Sequence, residues 1–126
     1  MDVKKSTKKY RTQSTHYFEN ALKSIDAREL EKASEFLWGS MAQALKALAA
    51  SKERTLKSHN DIRNYAMDVS RALKDDSIRH AFDKAQSLHS NFYESGLTIE
   101  DVLTGAEDVK KAVAKLLEFV PDHKSS

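Results

Sequence analysis

Between Ala33 and Ala49 the chain reads Ala-Ser-Glu-Phe-Leu-Trp-Gly-Ser-Met-Ala-Gln-Ala-Leu-Lys-Ala-Leu-Ala. A helix of this composition is too apolar to face water around most of its circumference, so other helices must cover it. Along the same stretch lie Glu35, Trp38 (the only Trp of the chain), Gln43 and Lys46. Such a helix belongs at the centre of a small bundle. It also carries whatever polar chemistry the bundle possesses.

The rest of the chain agrees with a bundle. Three Gly and one Pro in 126 residues are too few for the frequent turns of a sandwich or barrel. The expected fold is therefore all-α, an up-and-down bundle of four to five helices in a single domain spanning 1–126. With no Cys there is no disulfide, thiolate metal site or thiol nucleophile. The most apolar window, from Met41 to Ala50, falls well short of the roughly 20 residues a membrane span needs. The N-terminus has charge without an apolar run behind it and does not read as a signal peptide. A cytoplasmic protein is expected.

Net charge is +2, but Lys4, Lys5, Lys8, Lys9 and Arg11 crowd the start of the chain against Asp2 alone. Residues 1–9 are expected to form a basic, flexible arm, solvated or in contact with phosphates. A first helix is expected from Lys8 or Lys9 to Ile25, with Tyr17, Phe18, Ala21, Leu22 and Ile25 inward. Asp26 with Glu29 reads as a capping box opening a second helix that runs to about Ala50. Its stripe is Leu30, Ala33, Leu37, Met41, Ala44 and Leu48. Ser51 to Lys57 is a polar loop, and Ser58 with Asp61 resembles another N-cap. The third helix points Ile62, Tyr65, Ala66, Val69 and Leu73 inward. Asp76 or Ser77 caps the fourth, with Ile78, Ala81, Phe82, Ala85, Leu88, His89 and Phe92 on its apolar face and Gly96 at its end. Thr98 with Asp101 opens a short turn, and Thr104 with Glu107 caps a last helix ending before Pro121.

Candidate chemistry lies on few residues. His59 opens the third helix, where the helix dipole leaves an imidazole fit to act as base or acceptor. Arg54 precedes it by five residues, the loosest spacing of a metal-independent ribonuclease motif with His as base and Arg on the phosphate. The alternative is a solvated loop Arg beside a capping His. His89, between Leu88 and Phe92, reads as a hydrogen-bonded core histidine with Glu35, Gln43 or Tyr65 as partner. Glu35 and Lys46 suit an interior pair, and Trp38 next to Gly39 marks either a close helix approach or a dimer surface. No His pair or Glu-x-x-His pattern suggests a metal site, and no Gly-rich phosphate loop is present.

Four blocks carry a family resemblance: residues 33–39 (Ala-Ser-Glu-Phe-Leu-Trp-Gly), 43–49 (Gln-Ala-Leu-Lys-Ala-Leu-Ala), Ser58-His59, and Leu88-His89-Ser90-Asn91-Phe92-Tyr93-Glu94. In order and spacing they resemble the archaeal PaREP1/PaREP8 family over roughly Tyr17 to Val120, with Phe36 standing where that family usually has Lys. That family in turn is similar to the HEPN superfamily of helical bundles. The resemblance implies an HEPN-like bundle that often dimerises, in a superfamily where several members are ribonucleases and some pair with a small nucleotidyltransferase. Lys46-Ala47-Leu48 then corresponds to the HEPN Lys-Ala-Leu block and His59 to the His that opens a helix. Nuclease members place their Arg and His on a late helix; here His89, Asn91 and Tyr93 lack an Arg at that spacing.

Together these observations predict a homodimeric nucleotide- or RNA-binding module without a cofactor, its groove lined by Glu35, Trp38, Lys46, His59, His89, Asn91 and Tyr93. The competing expectation is a metal-independent HEPN-type ribonuclease using Arg54 with His59 or His89.

Overall fold

In the computed structural model, which describes residues 2–90 and 96–121, the chain forms five helices and, among those residues, no strand. They are α1 (Val3–Asp26), α2 (Leu30–Ser51), α3 (His59–Leu73), α4 (Ser77–Ser90) and α5 (Ile99–Glu118). The bundle is all-α, and α2 touches each of the other four helices. The reason is compositional: twelve of its residues are buried, among them Leu37, Met41, Ala44, Leu45 and Leu48. The apolar segment that opened the sequence is the axis of the molecule.

α1 and α2 form a long antiparallel hairpin about a three-residue connection. Small side chains let the two backbones close on each other. Ser14 Oγ donates to the Ser40 carbonyl at 2.7 Å, and Ser40 Oγ donates to the Ser14 carbonyl at 2.8 Å. α5 packs on α2, α4 and α1, whereas α3 leans mainly on α4. Gly105 leaves room for the Leu88 side chain, which a Cβ there would meet at 2.4 Å.

Several boundaries differ from the sequence expectation. α1 begins at Val3, not at Lys8 or Lys9, because Asp2 accepts from the Lys5 backbone N–H and caps it. The segment 3–9 is thus the first two turns of a helix rather than an arm. Arg11, expected within the basic cluster, donates to the Leu117 carbonyl at 3.0 Å and the Val120 carbonyl at 3.3 Å, closing the C-terminus of α5. Asp26 ends α1 instead of capping α2, and Glu29 takes the N-cap position of α2 without a side-chain cap bond, pairing with Lys32 at 3.0 Å instead. Leu22 is exposed, outside the apolar face of α1. The Ser58–Asp61 capping box is present as expected. Thr98 and Asp101 form a second complete box, but it opens the whole of α5, so Thr104 lies inside that helix.

Candidate functional site

From Leu37 to Ala50 every residue of α2 is buried except Trp38, Gly39, Gln43 and Lys46. At 100° per residue these four, with Glu35 a turn earlier, fall on one stripe. The polar members of the apolar segment are therefore the single open face of the central helix. α1 flanks that face on one side: Tyr17 stacks with Phe36 at 6.1 Å between centroids, and Lys46 Nζ lies 5.9 Å from the Tyr10 ring centroid. Gly39 permits this approach, since a Cβ there would meet Tyr17 Cδ2 at 3.0 Å. The close helix approach expected at Trp38-Gly39 is made by Tyr17.

On the other side α3 and α4 converge on Trp38. The His59 ring lies 4.7 Å from the Trp38 ring and the His89 ring 5.9 Å from it, tilted by 38° and 26°. This meeting depends on the connection between α2 and α3. Trp38 is thirteen residues before the end of α2, about 20 Å along the helix. The seven residues 52–58, at most roughly 25 Å when extended, must run back along α2 to deliver His59 to that position. Leu56, buried within this loop, holds it against the core. The indole is fixed from α4 as well. Trp38 Nε1 donates to Gln86 Oε1 at 2.7 Å, and Gln86 Nε2 donates to Ser90 Oγ at 2.9 Å.

His89 is thus not a core histidine; it is exposed, and its ring partner is Trp38 rather than Glu35, Gln43 or Tyr65. Its position on α4, one turn beyond the buried Ala85 and beside Leu88, put it at the edge of the apolar face instead of on it. Glu35 is exposed and makes no salt bridge with Lys46. Arg54 lies over the Tyr65 ring at 4.9 Å, while His59 engages Trp38, so the two residues of the ribonuclease-like spacing take different aromatic partners. Burial pushes the Tyr65 phenol up, and the Arg54 charge opposes that shift. Asn91 and Tyr93 lie outside the described residues. Among the described residues no group of His, Asp and Glu has the arrangement of a metal site.

Sequence reasoning missed Tyr17, Phe36 and Gln86 as members of the site. For Gln86 a signal existed: with His89 and Ser90 it follows the three-and-four spacing of one helix face. A shallow cleft of about 270 Å³ opens on the α1 side of Trp38, lined by Tyr17, Glu35, Phe36, Trp38, Gly39 and Gln43.

Comparison with known proteins agrees with this architecture. The model of the archaeal PaREP1/PaREP8 family matches residues 9–113. The chain belongs to the PaREP1/PaREP8 family. No curated protein matches it. A crystal structure of a protein from Sulfolobus solfataricus is similar over 86% of this chain and 97% of that one, with a TM-score of 0.75 and 19% identity. At that identity the likeness is one of fold. No helix among the described residues is long and apolar enough to cross a membrane.

Proposed function

We propose that this PaREP1/PaREP8 member is an RNA- or nucleotide-binding module whose contact surface is the Trp38–His59–His89 cluster. The observation that carries this reading is the convergence of three rings from α2, α3 and α4 at the surface, two of them exposed. Exposed rings held by a rigid scaffold offer faces on which unpaired bases stack, worth about 1–3 kcal/mol per base. Exposed Lys52, Arg54 and Lys57 in the adjoining loop supply positive charge for the backbone. The HEPN resemblance points the same way and adds two macromolecular partners, a second copy of the chain and a small nucleotidyltransferase.

The test is binding of a labelled single-stranded RNA, followed by anisotropy at low salt. Trp38→Ala and the double change His59→Ala/His89→Ala should each weaken binding tenfold or more, with helical content unchanged. A wild-type protein that leaves the RNA free at millimolar concentration refutes the proposal.

A second reading rests on the same two imidazoles. Two histidines beside one indole suit metal-independent cleavage, one removing the proton of a ribose 2′-hydroxyl as it attacks the adjacent phosphate, the other protonating the departing 5′-oxygen. RNA cleavage in the presence of a chelator, lost in His59→Ala or His89→Ala, supports it. Binding without cleavage leaves the module alone.

A further inference from the structure

We infer, resting on the nucleic-acid reading above, that the cleft on the open face of α2 selects guanine, with Glu35 as the residue that reads it. Three observations lead there. The cleft walls are aromatic: Tyr17, Phe36 and Trp38 surround it, and its volume of about 270 Å³ lies just below the roughly 300–1,000 Å³ of sites for drug-sized ligands. A shallow space of that size suits one flat heterocycle laid against the rings.

The second observation is that Glu35, an acceptor, is the one charged residue lining the cleft. Gln43 also lines the cleft, but its Oε1 is shielded from the cleft as from solvent and does not contact a ligand there. The Glu35 carboxylate is exposed at the cleft and enters no salt bridge among the described residues, so its lone pairs are available. Guanine alone among the four bases presents two adjacent donors, N1–H and the N2 amine, which a carboxylate accepts in parallel. Adenine and cytosine set an acceptor beside their amine, and uracil flanks its single N–H with two carbonyls, so each would oppose the carboxylate charge. Reading an unpaired base by this edge while it stacks on rings is the usual mode for single-stranded RNA.

The third observation is what lies next along the same groove. A neighbouring depression shares Glu35 and Phe36 and continues to Lys23 and Lys32, one from each helix of the hairpin. These cations line the same depression as Glu35 and are offered to the phosphate of a nucleotide whose base is held there. Lys32 is paired with Glu29 at 3.0 Å, whereas Lys23 enters no ion pair among the described residues.

Calorimetric titration of the full chain with GMP, IMP, AMP, CMP and UMP tests the inference. The fluorescence of Trp38, the single Trp, reports whether the ligand enters this cleft. GMP should bind roughly tenfold or more tightly than the other three standard nucleotides, the scale of one bidentate base contact. IMP, which keeps N1–H but lacks the amine, should fall between. Glu35→Gln, at an exposed position, should abolish the preference by weakening GMP and strengthening AMP, whose ring nitrogen the carboxylate charge opposes. Lys23→Ala/Lys32→Ala should weaken GMP more than guanosine. Equal binding of all nucleotides, or a preference that survives Glu35→Gln, overturns guanine selection and leaves RNA binding standing. If arginine amide shifts the Trp38 signal and GMP does not, the cleft takes a guanidinium and the inference fails. Loss of RNA binding in the anisotropy assay removes the underlying reading itself.

Discussion

The Thr7 side chain is fully buried in α1, and its Oγ1 has no hydrogen-bond partner. An unsatisfied buried hydroxyl costs about 1–3 kcal/mol, which a near-isosteric apolar side chain avoids. Thr7→Val should therefore raise stability by up to about 1 kcal/mol in urea denaturation; a loss of stability would show that the hydroxyl is satisfied. Nothing local announces this burial, because the surrounding Lys4, Lys5, Lys8 and Lys9 read as a solvated run. Those lysines cover the outer face of α1, while Thr7 and Ser14, two turns apart, point inward. Arg11 is similar. Its carbonyl partners, Leu117 and Val120, are more than a hundred residues away, so its role in closing α5 emerges only when α1 and α5 meet. Glu35, Trp38 and Lys46, in contrast, were conspicuous in the sequence because they interrupt an apolar run.

At the scale of elements, the same capping signature occurs four times, and two of the four are used. Ser58–Asp61 and Thr98–Asp101 make reciprocal caps, whereas Asp26–Glu29 and Thr104–Glu107 do not. The difference lies in where the chain turns. Asp26 still belongs to α1, and Thr104 falls within a helix already started five residues earlier. A paired experiment follows. Thr98→Ala should cost about 1 kcal/mol, the usual worth of an N-cap, while Thr104→Ala, exposed in mid-helix, should be neutral or slightly stabilising. A loss at Thr104 with none at Thr98 would place the helix start at Thr104. The inward faces of α2 and α3 were legible from three-and-four spacing, since burial there follows the helical period. His89 was misplaced because Leu88 and His89 are 100° apart, and a boundary between buried and exposed faces runs between them.

For the whole molecule, α2 is the element on which the others depend. Leu37→Ala, at a site with no exposure in the central helix, should cost about 2–5 kcal/mol, whereas Leu22→Ala on the exposed face of α1 should change the denaturation midpoint little. Acid should loosen the bundle through its aspartates. The Lys115 ammonium, with help from Ser77, holds the Asp75 carboxyl well below the usual carboxylate range and ties the α3–α4 turn to α5. Backbone N–H donors, chiefly from Lys57 and Thr98 respectively, lower Asp61 and Asp101. A carboxyl whose pKa is lower folded than unfolded contributes stability above the unfolded value, about 3.9, and loses it as pH falls through the folded value. Thermal midpoints should thus be flat near neutrality and decline below about pH 5, with Asp75→Asn showing a shallower decline; a profile unchanged by that substitution would remove Asp75 from the account. The sequence by itself determined the helices, most of their inward faces and the apolar character of α2, because period, propensity and caps act between residues a turn apart. Only the tertiary structure decided which stripe of α2 stays open and that the rings of Trp38, His59 and His89 meet on it. Those contacts depend on a loop that doubles back and on how α3 and α4 pack, and no local pattern encodes the distance between residues so far apart in the chain.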